Sequence, residues 1–327
     1  MYSPTYLYNY ILILFILFNM RKNFGEILTI CICIFILGEL LCNKTLVYSS
    51  VMEALNMWVK NLIPALFPFF IIADILVNYN ISTFIPKIIR DFCKVIWNIT
   101  DEMFSILVLS MVSGFPSNAR NTRTLYDMGR ISLEEANHIL IFSHFSNPVF
   151  VLTTVGVFFL GNERVGIIIL IAHYLSNFIL GVCFRGKFRH NENVMVSDSE
   201  RKDLGGIFIG AIRHGIDTIL LICGIVVVFM MMATIIVDML HLGSYNTMIV
   251  KGIMEITIGI QALSKLGINI IYKAVIASVF LAFGGLSVHV QVFSQITGTK
   301  IKYSYFLMGR LWQMILAGGI TYFLMII

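Results

Sequence analysis

The chain is predicted to be an all-α polytopic membrane protein with an internal duplication, on three observations. Hydrophobic residues make up 58% of the 327 and charged residues 13%, against about a quarter charged in soluble domains, so there is more apolar material than one globular core could bury. Two apolar stretches, Ser105–Thr124 and Ala274–Phe293, are each interrupted midway by small or helix-breaking residues, and paired interruptions point to the binding site of a transporter. At an offset of 170 residues Gly114 meets Gly284, Ser117 meets Ser287, Arg130 meets Lys300 and Ile131 meets Ile301. The net charge of +5 sits in short loops between apolar segments, where it sets orientation. Nucleic-acid binding is excluded as a reading.

Residues 1–54 hold the N-terminal membrane segments. Leu7–Phe18 is short for a span, while Leu28–Leu41 follows Arg21 and Lys22 in the manner of a signal anchor. Leu41 precedes Cys42, so neither a small-residue cleavage site nor a lipoprotein site is present, and the segment is expected to stay in the membrane. Met20 is an alternative start.

Two copies of a four-part unit follow. Repeat one, residues 55–160, has a span at Leu55–Val77 kinked by Pro64 and Pro68, and a charge-bearing interface helix at Ser82–Asn98. An interrupted hairpin at Met103–Met128 and a long helix at Glu134–Leu160 complete it. Residues 161–204 supply a linking span, Val165–Phe184, and a polar loop, Arg185–Asp203. Repeat two, residues 205–327, runs Ile212–Leu240, Tyr245–Leu266, Ile271–Thr297 and Tyr303–Ile326. One odd span between two even copies makes the repeats inverted. With the Arg185–Asp203 loop in the cytoplasm, twelve lysines and arginines fall inside and eight outside, which favours that orientation.

Hairpin tips at membrane depth must be buried in protein or line a watery cavity, because lipid offers no hydrogen bonds. Ser113, Gly114, Ser117 and Asn118 at the first break, and Gly284, Gly285 and Ser287 at the second, are therefore candidate binding residues. Each break also exposes a helix N-terminus suited to an anion. Ionisable residues at depth mark pathways: Arg120 follows the first break, and His289 with Gln291 follows the second. Asn147, before Pro148, cuts the helix after the first hairpin. Glu255 is suited to a proton, a coupling cation or an internal pair with an arginine. Arg310 and Asp74 read as structural or close to a membrane face.

No enzyme motif is present: H-E-x-x-H, G-x-S-x-G, an intramembrane G-x-G-D and G-x-x-x-x-G-K-[ST] are all missing. His138, His144 and His173 lack metal-ligand spacing, and Cys31 and Cys33 would point to opposite sides of a helix. The six cysteines read as packing residues rather than a disulfide framework. Gly206 and Gly210 form G-x-x-x-G, which suggests at most a close helix contact. No metal, cofactor or enzymatic activity is expected.

Several motifs together resemble the sporulation integral membrane protein family called YlbJ or SpoVV, whose members carry two nucleoside-recognition gate domains. They are Leu62-Ile63-Pro64-Ala65-Leu66-Phe67-Pro68-Phe69, Ser113-Gly114-Phe115-Pro116 with Ala119, Ser146-Asn147-Pro148 with Phe150, and Phe283-Gly284-Gly285-Leu286-Ser287-Val288-His289 with Gln291. Asn118 stands where members usually have glycine. The resemblance covers about Trp58 to Gln291 and implies an architecture similar to concentrative nucleoside transporters. It further implies a place in the bacterial cell membrane or outer forespore membrane, and movement of dipicolinate from the mother cell during spore maturation. The expected partners are thus the lipid bilayer and a small anionic solute; a homo-oligomer is compatible with this. A nucleoside or nucleobase transporter and a non-transporting spore-membrane scaffold are the alternatives.

Overall fold

The computed structural model describes residues 24–79, 84–185 and 204–327. The expectations for Leu7–Phe18, for Met20 and for most of the Arg185–Asp203 loop lie outside the described residues. Every regular element among the described residues is helical, as the composition requires. The chain divides into a small unit ending at Ser50 and a large unit from Val51 to Ile327. Helix α1 (Phe24–Cys42) contains the expected Leu28–Leu41 segment and belongs to the small unit.

Helix α2 (Lys44–Met57) passes through a π-helical turn, Trp58–Leu62, into α3 (Ile63–Asn78). Pro64 lacks the N–H that would continue an α-helical ladder, so a widened turn is accommodated just before it. The whole run, Lys44–Asn78, is long and apolar enough to cross a membrane. Helix α4 (Lys87–Trp97) exposes Ile88, Phe92 and Val95 at helical spacing, the pattern of a helix lying at headgroup level. It meets α5 (Asp101–Ser113) at 96°, and Lys94 and Arg90 hold Asp101 in the first turn of α5 at 2.7 and 3.4 Å.

Helix α5 is followed by α6 (Ser117–Asp127). Arg130, just past α6, lies 3.0 Å from Glu102 at the start of α5, so the two arms fold back on each other as hairpin one. Helix α7 (Leu133–Phe142) begins with a full capping box between Ser132 and Glu135, and helical structure resumes from Pro148 with a π-helical stretch at Phe150–Phe159. The helix expected over Glu134–Leu160 is thus broken at 143–147. Helix α8 (Glu163–Phe184) closes the first half.

The second half repeats the order. A long span, α9 (Leu204–Met239), leads to α10 (Ser244–Met254) and α11 (Ile256–Ser264), then to α12 (Ile270–Phe283) and α13 (Gly285–Ile296), and finally to α14 (Tyr303–Ile326). The segment expected as one helix over Tyr245–Leu266 is therefore two short arms meeting at Glu255, which form hairpin two. Span, hairpin, interrupted helix and span follow one another twice. In this order Gly114 of hairpin one corresponds to Glu255 of hairpin two, 141 positions on, and the start of α8 at Glu163 to the start of α14 at Tyr303, 140 positions on. The residue matches at 170 instead join hairpin one to the later α12–α13 interruption.

Packing follows the same correspondence, with α3 against α9 and α8 against α14. Glu163–Phe184, Leu204–Met239 and Ile270–Ile296 join Lys44–Asn78 as helices long and apolar enough to cross. Helix α14 is not among them although it has 24 residues, since it carries Arg310 and Gln313, both fully buried inside the protein rather than facing lipid.

Candidate functional site

Each hairpin tip rests against the interruption of the helix that follows it. At hairpin one Gly114 adopts φ +76°, and a Cβ there would come within 2.6 Å of the Asn147 backbone nitrogen, so both the turn and the close approach require glycine. Asn147 fastens the contact. Its Nδ2 donates to Val112 O at 3.1 Å, and its Oδ1 accepts from Phe150 N at 3.2 Å, which caps the helix beginning at the break.

Hairpin two turns on a single extended residue, Glu255. Its carboxylate accepts from Ile258 N at 3.0 Å and from the Thr257 hydroxyl at 3.1 Å, so the side chain caps α11. The arms touch through glycine: a Cβ on Gly259 would sit 2.2 Å from Gly252 Cα. Gly285 faces the tip, where a Cβ would lie 3.2 Å from Ile256 N and 3.3 Å from Glu255 Cα.

The four interruptions surround one narrow cavity of about 30 Å³. Phe115, Asn147 and Phe150 line it from the first half, and Glu255, Thr257 and Gln291 from the second; Leu66 of α3 and Ile222 of α9 close the sides. Its polar groups are two amides, a hydroxyl and one carboxylate among apolar walls. Glu255 is buried and has no cation paired with it among the described residues.

Three residues expected at the site, Asn147, Glu255 and Gln291, line this cavity, and Gly114 and Gly285 press its walls together. Others are taken up in internal contacts. The Ser113 and Ser117 hydroxyls bond each other, and the one that accepts in that bond gives its own proton to the backbone, Leu109 O for Ser113 or Gly114 O for Ser117. Asn118 Oδ1 accepts from His144 Nδ1 at 2.9 Å. Arg120 pairs with Asp74 at 2.9 Å and also reaches the Thr218 hydroxyl and His214 O; its partner is Asp74 rather than Glu255. His289 donates from Nε2 to Phe283 O at 3.0 Å and accepts at Nδ1 from the Tyr303 hydroxyl. Gly284 takes the left-handed conformation that ends α12. Ser287 is fully buried, and its hydroxyl has no hydrogen-bond partner among the described residues.

Thr257, Ile222 and Phe150 are lining residues that the pattern of polar and small residues did not single out. Thr257 is two residues from Glu255, so recognising Glu255 as a helix cap would have found it. Ile222 carries no such signal, being one apolar residue in a long apolar helix.

A second buried cluster supports the site from α14. Arg310 is fully buried and makes no ion pair among the described residues. It donates instead to the carbonyls of Ile141 and His144 at the end of α7 (3.3 and 3.1 Å), to Ala282 O near the end of α12 (3.4 Å), and to Asn177 Oδ1 (3.2 Å). Gly309 makes this reachable, since a Cβ there would overlap Ile141 O. Carbonyls freed where helices stop carry partial negative charge, and one guanidinium satisfies those of both interrupted helices.

Neither a family model nor a solved structure matches the chain. The chain is similar to the sporulation integral membrane protein YlbJ of Bacillus subtilis (strain 168), at 26% identity over 331 residues, 89% of this chain and 81% of that protein. With several apolar helices long enough to span and a sporulation protein of the membrane aligned along most of its length, the chain is a multi-pass integral membrane protein similar to that relative.

Proposed function

We propose that the chain is a sporulation membrane transporter whose solute occupies the space between the four interruptions, opened beyond the roughly 30 Å³ of this closed arrangement. Dipicolinate, moved across the outer forespore membrane into the intermembrane space, is the first solute to test. The observation that supports this is the meeting of both hairpin tips and both interrupted helices around one space. Backbone breaks at membrane depth are buried in protein or line such a space, and contributions from both halves are what alternating access uses. With α14 and the interrupted helix over 133–159 taken as spans beside the four apolar ones, each half has three crossings and a hairpin that enters and leaves on one side. That odd number inverts the second half relative to the first.

The cavity wall carries one carboxylate and no cation, so a dicarboxylate would enter it together with a proton or a metal cation at Glu255. A second reading follows from the same lining. Two amides, a hydroxyl, a carboxylate and two phenyl rings also suit the ring nitrogens and hydroxyls of a nucleoside.

Uptake into proteoliposomes separates the two. Labelled dipicolinate should accumulate, faster with an inward proton or sodium gradient, and Ile222→Trp should abolish uptake without loss of insertion. Uridine uptake in place of dipicolinate would establish the second reading. Uptake of neither solute would favour a scaffold. Single cysteines at positions 162 and 195, on a cysteine-free background, test the orientation: reagent outside intact cells should reach 162 and miss 195.

A further inference from the structure

Hairpin two has a second cavity on its other face, and we propose that this cavity is an anion vestibule that takes a small carboxylate before it reaches the inner site. The inference rests on the transporter reading above. The vestibule holds about 330 Å³. Helix α10 contributes Ser244, Thr247 and Lys251, and α11 with its C-terminal cap residue contributes Ile258, Gln261 and Lys265. Spacings of three and four place each set on one face of its helix, so the hairpin presents a single polar stripe to this space. Ile256 and Thr257 face the inner cavity while Ile258 faces the vestibule, and one short turn of backbone is the wall between them.

Charge gives the vestibule its class of ligand. Lys251 and Lys265 line it with Glu53 as the acidic lining residue, and none of the three makes an ion pair among the described residues. A helix C-terminus favours a lysine, but α10 and α11 run antiparallel, so their C-termini lie at opposite ends of the hairpin. The dipoles therefore do not explain why both cations face one cavity. Two unpaired cations around a water-accessible space attract an anion, and the hydroxyl and amide groups beside them can solvate its carboxylate oxygens. The vestibule thus supplies the positive charge that the inner cavity lacks.

The test reads local potential and protection without depending on transport. Gln261→Cys is placed in a chain whose native cysteines are replaced, and the protein is put in phosphatidylcholine discs, which are open on both sides. Its modification by the anionic 2-sulfonatoethyl and the cationic trimethylammonioethyl methanethiosulfonates is timed, each rate taken relative to that of the same reagent with a small free thiol. The anionic reagent should react about fivefold faster, the factor expected from roughly 1 kcal/mol of charge interaction. Dipicolinate and benzene-1,3-dicarboxylate should slow the reaction. Adding Lys251→Gln and Lys265→Gln should remove both the preference and the protection. Equal rates for the two reagents, or protection that survives loss of the lysines, would overturn the vestibule. Protection lost when phosphatidylglycerol replaces phosphatidylcholine would assign the lysines to lipid headgroups and also overturn it. Anion preference and protection in a protein that transports nothing would leave the vestibule standing while the transporter reading fails.

Discussion

Hairpin one is bound to its surroundings by charge, whereas hairpin two is bound by bare backbone. Around the first, Arg120 pairs with Asp74, Arg130 closes on Glu102, and Arg123 donates to the carbonyls of Gln295 and Thr297. Around the second there is no ion pair among the described residues; Gly252 lies against Phe280 of α12, and Gly285 against Glu255. The difference matters when the parts separate. Pulling hairpin one away parts the Arg120–Asp74 pair, at about 2 kcal/mol for a pair between surface and fully buried. Parting hairpin two breaks apolar and backbone contacts alone, and the carboxylate at its tip keeps its hydrogen bonds within α11. Hairpin two is therefore the arm whose movement costs less, and it is also the arm that stands between the two cavities.

The largest expected effect attacks the glycine contact. Gly259→Val should splay hairpin two by the width of a side chain, because its Cβ would overlap Gly252 Cα. Overpacking against backbone that cannot yield costs about 3 kcal/mol or more, and folded yield in size-exclusion chromatography should collapse. Gly206→Ala and Gly210→Ala are the controls: a Cβ at either meets nothing within 4 Å among the described residues, so the G-x-x-x-G they form makes no close helix contact among them and both variants should behave as the parent. A well-folded Gly259→Val would mean the arms can stand apart, and the comparison would lose its second term.

Next in size is the ion pair of hairpin one. Arg120 and Asp74 are 15% and 13% exposed, so Arg120→Gln should destabilise the protein by about 2 kcal/mol, between the values for surface and buried pairs. Adding Asp74→Asn should recover part of the lost melting temperature, because the stranded carboxylate is gone. Dipicolinate affinity by calorimetry should change little. A tenfold or larger loss of affinity at an unchanged melting temperature would instead make Arg120 a ligand to the solute.

Much of this was legible in the sequence where a break announced itself with small or helix-breaking residues. Gly114 with Pro116, Asn147 with Pro148, and Gly284 with Gly285 all lie at interruptions that the chain adopts. The break at Glu255 was not, because a lone glutamate in an apolar run reads as a costly ion within a span rather than as a cap. Its local signal was Gly252 and Gly259 on either side and a carboxylate three residues before Ile258. Correspondence between the halves was obscured for a related reason. Glycine and serine recur at an offset of 170 because they mark breaks of any kind, while like elements recur near 140, where Gly114 corresponds to a glutamate. The pairing of Arg120 with Asp74 depended on which helices pack together, which one-dimensional spacing does not contain.

The smallest effect on stability, and the sharpest on function, is expected at the tip of hairpin two. Glu255→Gln keeps a carbonyl oxygen able to accept from Ile258 N, so the cap survives and the change in stability should stay within about 1 kcal/mol. What it removes is the negative charge in the cavity wall. If that charge holds the proton or cation that accompanies a dicarboxylate, dipicolinate uptake by Glu255→Gln should no longer respond to a proton or sodium gradient, while equilibrium exchange of labelled for unlabelled solute continues. Hairpin one provides the contrast: Asp74→Asn lies outside the cavity and should leave the gradient response intact even where the protein is less stable. A gradient response retained by Glu255→Gln would show that the tip of hairpin two only caps its helix. The two hairpins would then differ in how they are fastened but not in what they carry.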